Sequence, residues 1–180
     1  MMKTRDLTYI GIMVALMAVC SWITIPTLVP FTLQTFAVFL ASALLGGKRG
    51  TIAVAVYLLL GAVGLPVFSG FTGGVGKLLG VTGGYILGFL AQAVVLWMGD
   101  RLLGRRPAAF FLSGVLGLAV CYLFGSVWYL LLYTSTTGPV SITVVLAQCV
   151  LPFILPDLVK LLLAMAVGQR LSKALECRPS

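Results

Sequence analysis

Apolar residues run along this chain in long blocks rather than in alternation. Six blocks read as membrane-crossing helices: Leu7 to Pro26, Thr32 to Gly46, Thr51 to Val67, Val81 to Gly99, Phe110 to Tyr133 and Ile142 to Val167. A helix needs roughly 20 mostly apolar residues to cross a bilayer, so the second block is short for the task. The period-two alternation of outer-membrane strands is absent. The pattern predicts an all-α integral membrane bundle of six transmembrane helices, folded as a single membrane-embedded domain over residues 1–180, with short connections on one side. The longest connection, SGFTGGVGKLLG at 69–80, has five glycines and no helical signature, yet keeps Phe71, Val75, Leu78 and Leu79. Its apolar residues predict a loop folded over the outer end of the bundle as a lid, because a solvated linker has no need of them.

Composition supports this reading. Of the 180 residues, 61% are hydrophobic and 9% charged, where a soluble domain carries about 25% charged residues. The net charge of +8 is explained by placement rather than by nucleic acid. Lys3, Arg5, Lys48, Arg49, Arg101, Arg105, Arg106, Arg170, Lys173 and Arg178 all fall on one side of a six-span layout. Basic residues mark cytoplasmic loops, so both termini are expected in the cytoplasm and the protein in the cell membrane. Lys77 falls on the other side, and Lys160 within a span. The first block is too long for a simple cleaved leader. MAVC at 17–20 is a poor lipoprotein box with Val19 before the cysteine, so an uncleaved first span is expected.

Several chemistries fall away. Cys20, Cys121, Cys149 and Cys177 lack C-x-x-C spacing and there is no histidine, which predicts buried thiols and no zinc site. GGVGKLLG is not a phosphate loop: Phe71 stands where the first Walker glycine belongs, and Leu78 replaces the Ser or Thr after Lys77. No enzyme and no cofactor are expected. Small residues at spacing four (Gly80, Gly84 and Gly88; Ala37 and Ala41; Gly11 and Ala15) let helix backbones approach. Most should pack within the chain, and an exposed pair would suit docking to another membrane protein.

The anomaly is PFILPDLVK at 152–160. Asp157 and Lys160 are the only charges between Leu151 and Val167 and share a helix face at spacing three. Two independent charges there cost roughly 5 to 7 kcal/mol on insertion scales. Intramembrane ionisable residues are functional candidates by default, and Pro152 and Pro156 are expected to free carbonyls and kink the helix just outside the pair. Thr32, Gln34, Thr35, Thr82, Tyr85, Trp128, Tyr129 and Tyr133 sit in the same outer half, as an interfacial belt or as the wall of an outward-facing cavity. A closed ion pair bracing a structural or assembly protein, and an ion-coupled carrier using Asp157, remain alternatives.

VPFTLQTFAVFLASALLGGKRGTIAVAVYLLLGAVGLPVFSG, GKLLGVTGGYILGF and LPDLVK resemble the BioY family, the biotin-binding S components of energy-coupling factor (ECF) vitamin transporters. Val81 stands where the family often has the proline of G-P-T-G-G-Y. The resemblance implies biotin as the transported ligand, with Asp157 and Lys160 on its ureido ring. With that ligand, Tyr85 and Trp128 are expected on the walls around its rings and chain, Lys77 is one candidate for its carboxylate, and Gln34, from its place at the outer start of the second block, is a further candidate for the cavity lining. The resemblance implies a membrane T component and two cytoplasmic ABC ATPases as partners, docked through a first-span face such as Gly11 and Ala15.

Overall fold

The computed structural model describes residues 4–27, 29–136 and 138–176. Lys3, Cys177 and Arg178 lie outside the described residues. The chain forms α1 (Thr4–Trp22), β1 (Thr24–Ile25), β2 (Phe31–Thr32), α2 (Gln34–Leu45), α3 (Gly47–Ala62), α4 (Val75–Leu78), α5 (Gly83–Leu103), α6 (Pro107–Thr136), α7 (Ile142–Cys149) and α8 (Leu151–Glu176). Among the described residues, α1, α5, α6 and the joined segment Ile142–Ser172 are long and apolar enough to cross a membrane. With 12 and 16 residues, α2 and α3 reach about 18 and 24 Å at 1.5 Å per residue, less than a full hydrocarbon core.

The structure departs from an all-helical reading at one end. The first and second blocks meet in an antiparallel ribbon that pairs Thr24 with Thr32 and Ile25 with Phe31. The first block therefore leaves helix at Trp22 rather than Pro26, and the second enters it at Gln34 rather than Thr32. The Thr32 hydroxyl accepts from the Gln34 backbone N–H at 3.2 Å, which satisfies one of the free donors of the new helix. The third block stops at Ala62, and residues 63–68 fold back. The Tyr57 hydroxyl donates to the Val67 carbonyl at 2.8 Å, and the Ser21 hydroxyl donates to the same oxygen.

Two further expectations are corrected. The 69–80 loop contains one helical turn, α4, and is pinned at its base. Buried Phe68 packs edge-on against Tyr57, and Phe71 stacks on Trp22 at 4.8 Å. In the last block the break falls at Val150, ahead of both prolines. Pro152 sits in the first turn of α8, where a missing N–H deprives the helix of nothing, and α8 continues through Pro156.

The long hairpin α5–α6 is held by close approach at small residues. A Cβ at Gly84 would fall into the Trp128 side chain, and one at Gly125 into the Tyr85 ring. One buried cluster joins α1, α2 and α3 (Met17, Ala37, Val54, Tyr57). A second joins α2, α5, α6 and α8 through Phe39, Leu40, Leu96, Leu118 and Leu161. At the basic end, Arg49 pairs with buried Asp6 at 3.0 Å, and Asp100 accepts from the Gly47 N–H at 2.9 Å. Lys77 is at the opposite end, on α4.

Replacing Gly84 with leucine is expected to destabilise the protein by about 1–3 kcal/mol, as overpacking does. Thermal unfolding in detergent reads this out, and an unchanged midpoint would refute the close packing.

Candidate functional site

The site is built on α8. Asp157 and Lys160 are one turn apart and 3% and 5% exposed, which makes them buried charges. Their Nζ–Oδ1 distance is 2.8 Å. The Lys160 ammonium also donates to the Thr32 carbonyl at 2.7 Å and stands 4.1 Å from the centroid of the Phe31 ring. The other carboxylate oxygen, Oδ2, accepts from the Tyr122 hydroxyl of α6 at 2.6 Å. All three ammonium directions are thus used. A carboxylate offers about four acceptor positions, so Asp157 retains spare capacity.

Each element delivers its part for a local reason. Because β2 is extended, its Thr32 carbonyl points sideways instead of into an i→i+4 helix bond. Glycines 117, 125 and 88 bring α6 against α5, which sets Tyr122 across from α8. Phe153, one turn before Asp157, lies 5.7 Å from Phe31 and walls the pair from the ribbon side.

A cavity of about 60 Å³ opens beside the pair. Of the residues singled out from sequence, the structure brings Asp157, Lys160, Tyr85, Gln34, Thr32, Thr35 and Thr82 to its lining, together with Ser69 at the start of the loop. The Tyr85 hydroxyl is 3.1 Å from the buried Ser126 hydroxyl. Cys121 and Cys149 line the cavity as free, buried thiols, and Cys20 is also free and buried.

Four of the sequence-derived cavity candidates lie outside this lining. Trp128 is turned to the hairpin: its indole N–H donates to the Gly80 carbonyl at 3.1 Å, and its side chain packs on Gly84. Lys77 is half-buried on α4, away from the cavity wall. Tyr129 and Tyr133 stack on each other at 5.3 Å, also outside the lining. Gly11 and Ala15 are exposed on one side of α1, with nothing within 4 Å of a Cβ built at Gly11.

The sequence reading missed Tyr122, Phe31, Phe153 and Gln92. Gln92 is the most informative of these. It is 0% exposed and lines the cavity, and neither end of its carboxamide has a hydrogen-bond partner among the described residues. The available signal was a lone amide in an apolar block, seven residues after Tyr85 and so on the same helical face. A second cavity, of about 330 Å³, opens at the basic end among Asp100, Arg105, Arg106 and Met165. The layer of Leu96, Leu118 and Leu161 separates it from the first.

Known proteins resemble this chain in sequence and in fold. The biotin transporter BioY of Thermotoga maritima is 44% identical over 94% of this chain and 96% of its own. Biotin transporter BioY2 of Lactococcus lactis subsp. cremoris is 33% identical over 96% and 93%. The crystal structure of the S-component for biotin from an ECF-type ABC transporter superposes with a TM-score of 0.81, at 27% identity, covering 96% of this chain and 95% of that one. A sequence model of the BioY family matches residues 1–177; the chain belongs to the BioY family.

Proposed function

We propose that this chain is a multi-pass membrane protein that captures biotin at the Asp157–Lys160 cavity, as the S component of an ECF-type ABC transporter. The carrying observation is a buried acid–base pair beside a cavity walled by apolar and aromatic side chains together with the uncharged polar groups of Thr32, Gln34, Thr35, Ser69, Thr82 and Gln92. A ureido ring carries two N–H donors and one carbonyl acceptor. The carboxylate accepts from an N–H and the ammonium donates to the carbonyl, both charge-assisted. Asp157 has acceptor positions to spare beside the Tyr122 hydroxyl, whereas the Lys160 ammonium gives up one of its present partners to donate to the ureido carbonyl.

A fused bicycle needs more room than about 60 Å³, so binding goes with a wider form of the cavity. Its walls include the Ser69 end of the loop and, on either side of the helix break at Val150, Cys149 and Phe153. Tyr85 and Gln34 face the ligand, with the valerate running toward the loop. Trp128 supports the wall by holding Gly80. Lys77 meets the carboxylate only if α4 moves inward.

In this reading the chain crosses the membrane six times, with short α2 and α3 completing the count and both termini in the cytoplasm. The clustering of Arg49, Arg105 and Arg106 at one end supports it. A membrane T component and two ABC ATPases supply the energy, docking on the exposed Gly11–Ala15 face of α1.

Three outcomes are expected. Asp157→Asn and Lys160→Ala each weaken equilibrium binding of labelled biotin by tenfold or more, since removing one member of a buried charge pair costs about 2–5 kcal/mol. Full-strength binding in both variants would instead make the pair a structural brace, and no binding by the parent would reject the function. Gly11→Leu and Ala15→Leu leave biotin binding intact and abolish ATP-dependent uptake with the partner proteins. Uptake that collapses with the proton gradient and ignores ATP would favour an ion-coupled carrier. For topology, cysteines placed at Val75 and at Lys48 are probed with an impermeant maleimide in intact cells, and only the first is expected to react.

A further inference from the structure

The cavity presents a second polar group that the Asp157–Lys160 pair does not use. Gln92 lies on α5, two turns past Tyr85 on the same face, so its Cα is roughly 10 Å deeper along the helix axis. Its Cγ lies against Gly117 of α6, where the missing side chain makes room for it. It is wholly buried, and both Nε2 and Oε1 lack partners among the described residues. A carboxamide brings two donors and two acceptor lone pairs, and membrane surroundings offer nothing to meet them. The buried Thr51 hydroxyl, by contrast, donates to the Gly47 and Ala93 carbonyls, and where Thr24, Gln34 and Ser42 each leave one buried side-chain atom without a partner, Gln92 leaves both ends of its amide so. Gln92 borders the cavity that Asp157 and Lys160 also line.

We propose that the Gln92 carboxamide is a second reader of the ligand's ureido ring, and so a specificity-determining residue. The inference rests on the biotin reading above and deepens it. A ureido ring has four hydrogen-bonding positions: two N–H groups and two lone pairs on one carbonyl oxygen. Asp157 accepts from one N–H and Lys160 donates to one lone pair. One N–H and one lone pair on the same edge of the ring are left. A primary carboxamide is their complement, with Oε1 accepting from the N–H while Nε2 donates to the carbonyl. The full set of four is met, and both orphaned ends of Gln92 are satisfied in one step. A ring without that N–H leaves Oε1 buried and unpaired, which is how hydrogen-bonding sites reject near-isosteres.

The test measures equilibrium binding in detergent of biotin and of its two analogues methylated on one or the other ureido nitrogen. Parent, Gln92→Leu and Gln92→Glu proteins are compared. Leucine keeps the volume and removes the amide, and glutamate keeps an acceptor but loses the donor. Both variants are expected to weaken biotin about tenfold. One methylated analogue, already weak on the parent, is expected to bind Gln92→Leu no more weakly than it binds the parent. Thermal melts of each variant report folding. The proposal is overturned if a folded Gln92→Leu or Gln92→Glu binds biotin as the parent does, or if leucine weakens biotin and both analogues by one common factor. Absence of biotin binding in the parent overturns the functional reading itself, which is a separate result.

Discussion

The Lys160 ammonium is the constraint on which the ligand end of this molecule is arranged. A primary ammonium inside a membrane protein must place three protons, and hydrocarbon accepts none. Two of its three contacts, the Thr32 carbonyl and the Phe31 ring, come from adjacent residues of β2. That requirement explains why the chain leaves helix between α1 and α2. In a continuing helix the Thr32 carbonyl would be taken by the N–H four residues on. In an extended strand it is free to face α8, and pairing with β1 fixes the strand's height. The short α2 follows, since residues that would have lengthened it are spent on the ribbon.

Asp157 completes the arrangement from the other side by taking the Tyr122 hydroxyl. A buried ion pair rarely stabilises a fold more than an apolar replacement of similar volume, because desolvation consumes the Coulomb gain. As a brace it would be an inefficient choice among the leucines of this bundle. As a recognition device the same pair is well suited. In the proposed reading both charges are already desolvated before the ligand arrives, so the cost of burying them is not charged to binding. Burial of the ligand's rings against Phe153, Tyr85 and Leu118 then adds favourable area.

Sequence reading reached the long helices and the charged pair because each leaves a one-dimensional signal. Apolar blocks mark α1, α5, α6 and the last segment, and spacing three puts Asp157 and Lys160 on one face. The ribbon left no such signal: Phe31–Thr32 is two residues long, and its role is set by a lysine 128 positions later. Trp128 and Tyr122 show the same limit. Both belong to one apolar block, and only the rotation of α6 against α5, fixed by glycine contacts, turns Tyr122 to Asp157 and Trp128 to Gly80. In the sequence Pro152 reads as a kink, because proline breaks helix interiors. Its place in the first turn of α8 reversed that meaning, since only the start at Leu151 makes its missing N–H harmless.

The small-residue steps share one spacing and serve opposite ends. Gly84 and Gly88 are consumed between α5 and α6, and Ala37 and Ala41 are buried within the α1–α3 cluster. Gly11 and Ala15 face outward. In lipid an exposed apolar face gains nothing by being small, whereas a docked helix gains close backbone contact. Helix α1 packs chiefly on α2 and α3, not on the α6 and α8 that carry Tyr122 and Asp157. Its nearest covalent link to the buried pair is the ribbon: α1 runs into β1, β1 pairs with β2, and β2 holds the Lys160 proton through Thr32. In the proposed reading, a partner docked on the outward face of α1 is therefore connected to the Lys160 ammonium by one strand pairing and one hydrogen bond.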